Sequence, residues 1–187
     1  DYESKFDVTS KKYAGVVDEL SYDDDGLLMK VGELDFKRDT RDGALIGSMM
    51  GNVTDTVEYN NFKELSRYSA QYSGAVFLDV QYEQDKLGRI TKKTETVADG
   101  STHVYDYIYN NSGYLEQVSK DGVVTGSYSY DANGNRTSYS GIHGNRSGIY
   151  DEQDRMQSYG NATYTYTLNG DLLTKTDASG TTEYEYD

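Results

Sequence analysis

The sequence predicts an all-β protein, an antiparallel meander of hairpins each about twenty residues long. Three observations carry that expectation: an unusual supply of tyrosine, a tyrosine spacing of two residues, and one short phrase written repeatedly. The 187 residues include 20 Tyr and 19 Gly, with no Pro, Cys or Trp, and 35% are hydrophobic, below the roughly 45–50% usual for globular domains. Apolar surface must therefore come largely from tyrosine, which buries a ring and keeps its hydroxyl at a wet edge or on a hydrogen-bond partner. Half-solvated sheets use such a residue well; packed helices, which need Leu and Ile, do not.

The phrase is aromatic, any residue, Tyr, then Asp or Asn, two residues and Gly. Tyr128-Ser129-Tyr130-Asp131-Ala132-Asn133-Gly134 is the clearest copy, with Tyr107-Ile108-Tyr109-Asn110-Asn111-Ser112-Gly113 before it and Tyr164-Thr165-Tyr166-Thr167-Leu168-Asn169-Gly170 after it. Ile149-Tyr150-Asp151-Glu152-Gln153-Asp154 puts Asp154 at the glycine position, and Tyr184-Glu185-Tyr186-Asp187 is half a copy. The markers Tyr109, Tyr130, Tyr150, Tyr166 and Tyr186 stand 21, 20, 16 and 20 residues apart. Degenerate copies precede them: Tyr22-Asp23-Asp24-Asp25-Gly26, Asp39 to Gly43 without a tyrosine, Tyr59-Asn60-Asn61, and Tyr82 with its glycine delayed to Gly88. The organisation is thus a degenerate segment, 1–104, continuous with a clear array, 105–187.

Each element follows from strand geometry. Residues i and i+2 share a face, so Tyr128 with Tyr130, Tyr164 with Tyr166, and Tyr105 with Tyr107 and Tyr109 form aromatic rows. Asn133-Gly134 and Asn169-Gly170 are expected to supply the positive φ angles of tight hairpin turns, with Ser112-Gly113 a weaker version. Return strands are expected at 114–119, 135–139 and 171–176. Second turns at Asp121-Gly122, 141–144 and 178–180 then send the chain into the next tyrosine strand. Over 61–69 a short helix competes with strand, and the flanks and the surrounding pattern favour strand or irregular loop. The apolar stretch 44–51 reads as a buried strand.

With 32 acidic and 18 basic residues the formal charge is −14, which repels phosphate backbones and anionic headgroups. Nucleic acid and membrane insertion are not expected; no run approaches the roughly 18 apolar residues of a spanning helix, and Asp1 to Ser10 lacks the pattern of a signal peptide. Asp23-Asp24-Asp25-Gly26 invites a calcium reading, but Ser21 and Gly32 stand where an EF-hand needs carboxylates, so a solvated turn is preferred and no metal or cofactor is expected. His103 and His143 lack a nucleophile elbow, a paired-histidine motif or a phosphate loop nearby, so no catalytic residue is assigned. The Asn-x-Ser/Thr sequences at Asn52, Asn110, Asn135, Asn145 and Asn161 follow from a composition rich in those residues.

In these residues, best in Tyr130-Asp131-Ala132-Asn133-Gly134-Asn135-Arg136, the chain resembles the YD-repeat, or Rhs-repeat, family. The match is strong over 105–187 and patchy before it. The resemblance implies a sheet that spirals into a hollow shell. In bacterial Rhs proteins and insecticidal toxin complexes such a shell encloses a toxic polypeptide, and in teneurins it stands outside the cell and takes part in adhesion. It also implies a non-catalytic scaffold, secreted or at the cell surface, part of a longer array. The self-cleaving segment found after many such repeats contains an Asp-Pro element, which a chain without proline cannot supply. Expected partners are further repeats or another copy through strand edges, and an enclosed toxin polypeptide or a surface glycan. The rival reading is a carbohydrate- or protein-binding adhesion module that uses Tyr128, Tyr130, Tyr164 and Tyr166, with Gly113, Asn133, Gly134, Asn169 and Gly170 as structural turn residues.

Overall fold

In the computed structural model, which describes residues 8–186, two kinds of turn recur and strands consecutive within a unit pair with one another. The chain forms two compact units, Asp1–His103 and Val104–Asp187. The first contains β1 (Ser10–Tyr13), β2 (Val16–Tyr22), β3 (Leu28–Val31), β4 (Leu34–Arg38), β5 (Leu45–Met50), β6 (Val53–Tyr59), β7 (Leu65–Tyr72), β8 (Ala75–Gln84) and β9 (Ile90–Val97). β10 (Thr102–Tyr109) leads into the second, with β11 (Leu115–Lys120), β12 (Val123–Tyr130), β13 (Arg136–Gly141), β14 (Gly144–Tyr150), β15 (Met156–Tyr159), β16 (Ala162–Tyr166), β17 (Leu172–Asp177) and β18 (Gly180–Glu183). No helix occurs among the described residues. The expected return strands fall at β11, β13 and β17, and 61–69 holds a turn and the start of β7.

One class of turn is short. At Ala14-Gly15, Ser73-Gly74 and Asp121-Gly122 both central residues have positive φ, between 48° and 88°, the left-handed pair that matches the twist of two antiparallel strands. The other class follows the tyrosine strands and is longer. At 131–135, Asp131 N–H donates to the Asn135 carbonyl at 3.0 Å and Gly134 N–H donates back to the Asp131 carbonyl at 3.2 Å. Gly134 has φ 89° and Gly170 φ 94°, whereas Asn133 and Asn169 do not have positive φ. This corrects the expected turn chemistry. The loop is three residues long and closes with a left-handed glycine, so the asparagine before it keeps an ordinary backbone conformation.

The first copies need correction too. In β8 the strand runs on to Gln84, and Asp85 caps the turn that ends at Gly88. The marker position therefore holds Gln84, not Tyr82. At 60–64 the left-handed residue is Lys63, φ 65°, and at 151–155 it is Asp154, φ 60°. The turn at Asp39 carries one extra residue, Gly43 N–H reaching back to the Asp39 carbonyl at 2.8 Å. β5 is a strand but not a buried one: Met49 and Met50 are about half exposed, and only Gly47 is buried.

Register assigns the faces, because directly opposed residues of an antiparallel pair lie on the same side. In the second unit Tyr128, Tyr139 and Arg146 are opposed across β12, β13 and β14, Gly148, Tyr159 and Ala162 across β14, β15 and β16, and Tyr164 faces Lys175. The tyrosine rows thus share one face. The reverse face is a field of hydroxyls, with Ser129, Ser138 and Ser147 in one row and Ser158, Thr163, Thr176 and Thr181 in another. Hydroxyl contacts run between strands, 2.6 Å for Thr165 to Thr174 and 2.9 Å for Thr176 to Thr181. In the first unit the equivalent face gathers Val57, Tyr68 and Val80 beside Ala70 and Leu78. The buried apolar side chains among the described residues are Ala70, Val80 and Tyr139, so each unit is one sheet thick with a thin core.

Replacing Gly134 by Val is expected to cost more than about 1 kcal/mol, because a β-branched residue is strained at that φ and a Cβ there would stand 2.5 Å from the Tyr114 hydroxyl. The same change at the exposed, ordinary-φ Ala132 is expected to leave the thermal midpoint nearly unmoved. Equal midpoints for both variants would contradict the turn geometry.

Candidate functional site

The repeated dyad before each long turn is the most organised group of side chains in the chain, and its two residues do separate work. The acid caps the turn. Asp131 Oδ1 accepts the backbone N–H groups of Asn133 at 3.0 Å and Asn135 at 2.9 Å. Asp23, Asn60, Asp85, Asn110 and Asp151 each accept the same two amides of their own turns. At Thr167 a hydroxyl substitutes, taking the Asp171 N–H at 3.1 Å. Short polar side chains satisfy loop amides in this way, which is why these residues dominate turns. The acidic run 23–25 is therefore a capped turn, and among the described residues no three His, Cys, Asp or Glu are grouped to hold a metal ion.

The aromatic residue stitches one hairpin to itself. Tyr130 donates its hydroxyl proton to the Leu115 carbonyl at 2.9 Å, and Tyr22, Tyr59, Tyr150, Tyr166 and Tyr186 donate to Val8, Leu45, Arg136, Met156 and Leu172 at 2.8–3.2 Å. From Tyr59 onward each of these acceptors is the first residue of the strand that follows the preceding long turn. Where tyrosine is missing, another donor takes over: Arg38 Nε reaches Leu28 at 3.1 Å and Gln84 Nε2 reaches Leu65 at 2.6 Å. The pairing register slips at that same residue, at Tyr22, Arg38, Tyr59, Gln84, Tyr109, Tyr130, Tyr150 and Tyr166. A bulge re-aims the side chain of the bulged strand, and here the re-aimed residue is the one whose donor reaches the carbonyl.

Charges decorate this frame. Burial pushes the Asp131 carboxyl up, but hydrogen bonds from the Asn135 side chain and from the amides of Asn135, Asn133 and Gly134 outweigh it and hold the group below the usual carboxylate range. Asp151 behaves alike, with Arg155 supplying both amide and guanidinium. Burial raises the Tyr130 and Tyr166 phenols. Adjacent turns also touch, Asn133 and Asn135 both donating to Asp154 Oδ1 at 2.8 and 2.6 Å.

Of the four tyrosines read as binding residues, three are engaged within the sheet. Tyr130 packs on Tyr114 at 5.0 Å, Tyr128 on Tyr139 at 5.4 Å with Arg136 near its face, and Tyr166 lies under Arg155 at 5.2 Å. Tyr164 instead lines an open cleft with Arg146, Tyr159 and Lys175. Gly113, Gly134 and Gly170 hold the left-handed positions of their turns, while Asn133 and Asn169 precede them. Sequence reasoning missed the carbonyl stitch and Arg146. The stitch had a signal, since Arg38 and Gln84 occupy the tyrosine position with donors of their own. Asp187, the acid that ends the half copy Tyr184-Glu185-Tyr186-Asp187, lies outside the described residues.

A sheet built from capped three-residue turns and tyrosine stitches defines a β-hairpin repeat protein with a structural role. The Teneurin YD-shell family matches residues 3–187, and the chain belongs to that family, whose role is that of a structural shell. No curated protein sequence matches the chain. Among solved structures, TcdB2-TccC3-TEV is 12% identical with a TM-score of 0.38, over 86% of this chain and 12% of that one. A Photorhabdus luminescens Tc holotoxin pore carrying a TccC3 mutation is 14% identical with a TM-score of 0.37, over 90% and 11%. A porin-like protein from Bacteroides uniformis is 15% identical with a TM-score of 0.39, over 90% and 87%. The chain thus spans about an eighth or less of the two toxin-complex chains.

Two outcomes follow. Tyr130→Phe, which keeps the ring and removes the stitch, is expected to cost about 0.5–1.5 kcal/mol in denaturant unfolding; an unchanged midpoint would show the bond to be incidental. The depressed Asp131 and Asp151 carboxyls contribute stability that is present above about pH 4, their unfolded value, and is lost as pH falls through their lower folded values. Asp131→Asn retains the amide-accepting oxygen, as Asn60 and Asn110 do naturally, so its melting temperature is expected to fall less steeply between pH 5 and 2 than that of the unmodified chain, each measured by circular dichroism.

Proposed function

We propose that the chain is a non-catalytic length of shell wall from a secreted or cell-surface, toxin-type YD-repeat protein, and that its tyrosine face is turned towards another polypeptide that the shell encloses or presents. Strand edges join it to further repeats or to another copy, and 1–104 and 105–187 act as successive stretches of one array. The observation that carries the reading is the contrast between the two faces. One holds half-buried tyrosine rings without a second layer packed on them within the unit, and the other holds hydroxyls suited to water. Apolar surface left uncovered in this way is an interaction surface. The family supports the shell role, and enclosure extends it.

The chain itself has no cysteine. Single cysteines are placed at Ser129 and Tyr128, neighbours on opposite faces, in a full-length product in which any cysteine outside this chain is replaced by serine, and each is labelled with a membrane-impermeant maleimide. Ready labelling at 129 with protection at 128, lost once the particle is denatured, is the expected result. Equal labelling at both, or protection at 129 alone, would contradict an inward tyrosine face.

A further inference from the structure

Seven arginines occur in the chain, and six have engaged guanidinium groups. Arg41, Arg67, Arg89 and Arg155 pair with carboxylates, Arg38 binds carbonyls, and Arg136 lies over the rings of Tyr128 and Tyr159 at 5.9 and 4.8 Å. Arg146 differs. It is exposed, and its guanidinium makes no hydrogen bond, ion pair or ring contact among the described residues, although the chain carries an excess of carboxylates that would pair with it. Its position is nevertheless set, because its aliphatic stem lies across Gly160, where an added Cβ would meet Arg146 Cγ at 3.3 Å. The glycine of the next short turn thus makes room for the arginine to cross it.

The cleft it borders has a volume of about 520 Å³ and opens at the short-turn end of the hairpins β13–β14, β15–β16 and β17–β18. Tyr159 and Tyr164 supply ring surface, Asn161 stands in the turn at the rim, and Lys175 adds a second cation whose Nζ is 2.8 Å from Asp177. Two cations and one carboxylate leave this cleft positive on a chain of net charge −14. A guanidinium offers paired donors that match a carboxylate in one plane, and tyrosine rings favour a flat, C–H-rich partner that also wants hydroxyl contacts. A hexuronic acid has all of these features. A glutamate side chain has the carboxylate without the ring face, and a neutral sugar has the ring face without the charge.

We propose that the Arg146–Tyr159–Tyr164–Lys175 cleft is a binding site for an acidic saccharide, with Arg146 taking the uronate carboxylate and Tyr164 stacking on the sugar ring. This site is independent of the shell reading: it needs the cleft open to solvent, whichever polypeptide the rest of the tyrosine face meets. The test is calorimetric titration of the full chain with an oligogalacturonide of four residues, its methyl ester, and a tetraglutamate peptide. The oligogalacturonide is expected to bind, with the ester and the peptide each weaker by about tenfold or more. Arg146→Ala and Tyr164→Ala should each weaken it by about tenfold or more, Arg146→Lys should retain part of the affinity, and Thr165→Ala, on the other face, should change nothing. Arg146→Ala removes no side-chain hydrogen bond or ion pair among the described residues, only the packing of its stem on Gly160, and an unchanged melting temperature of the variant shows that its loss of binding reports on the site. Absence of oligogalacturonide binding, equal binding of the ester, equal binding of the peptide, or unchanged affinity in Arg146→Ala would overturn the proposal.

Discussion

The structure depends on one constraint: a sheet a single layer thick must satisfy its own backbone at every turn, because it has almost no buried core to hold it. Among the described residues Ala70, Val80 and Tyr139 are the buried apolar side chains, and the remaining rings are only partly covered. Burying a large apolar side chain contributes about 1.5–3 kcal/mol when complete, so half-buried rows contribute less per residue than a globular core. Local hydrogen bonds carry more of the task. The turn acid gives two loop amides an acceptor, and the residue before it gives the opposite strand's carbonyl a donor. Each repeat closes its own ends in this way and relies chiefly on its immediate neighbours, the energetic pattern of a linear repeat array.

That constraint explains why substitutions within the repeat follow chemistry rather than identity. Asn60 and Asn110 cap as Asp131 does, since an amide oxygen accepts as a carboxylate oxygen does. Arg38 and Gln84 replace tyrosine because what matters at the bulge is a donor long enough to reach the carbonyl. Lys63 and Asp154 are harder cases, standing at φ 65° and 60° where glycine is favoured. Asp154 gains two amide donors from Asn133 and Asn135, and Lys63 pairs with Asp42 of the preceding turn. In both, a contact between adjacent turns offsets a backbone conformation that a side chain disfavours.

Most of the fold was legible because the repeat writes it several times. A period of two in Tyr128 and Tyr130 fixes the face, and Gly134 fixes the turn, so the strands of 105–187 follow from pattern alone. Turn type was less legible: Asn133-Gly134 is also the signature of a two-residue hairpin, and only the Asp131 cap, which satisfies the amides of Asn133 and Asn135, selects the three-residue loop. Tyr82 misled for a related reason. It satisfies the aromatic pattern on β8, but the strand continues two residues further, and the stitch identifies Gln84 as its equivalent. In β5 hydrophobicity alone suggested burial, yet a one-layer sheet has no interior in which to place Met49 and Met50.

The candidate site was the least legible part, and the reason is geometric. Tyr128, Tyr130 and Tyr166 look alike in sequence to Tyr164, since all occupy the aromatic positions of the repeat. What separates them is the cross-strand neighbour: Tyr139, Tyr114 and Arg155 engage the first three, whereas the spacing of only 16 residues between Tyr150 and Tyr166 shortens that hairpin. β15 and β16 are accordingly brief, four and five residues. The shortened pair brings the Gly160 turn under the stem of Arg146 on the neighbouring hairpin, and Arg146 and Tyr164 come to line one cleft. A departure from the twenty-residue period, which reads in sequence as degeneracy, is in three dimensions the step that sets an unpaired cation beside half-buried ring surface.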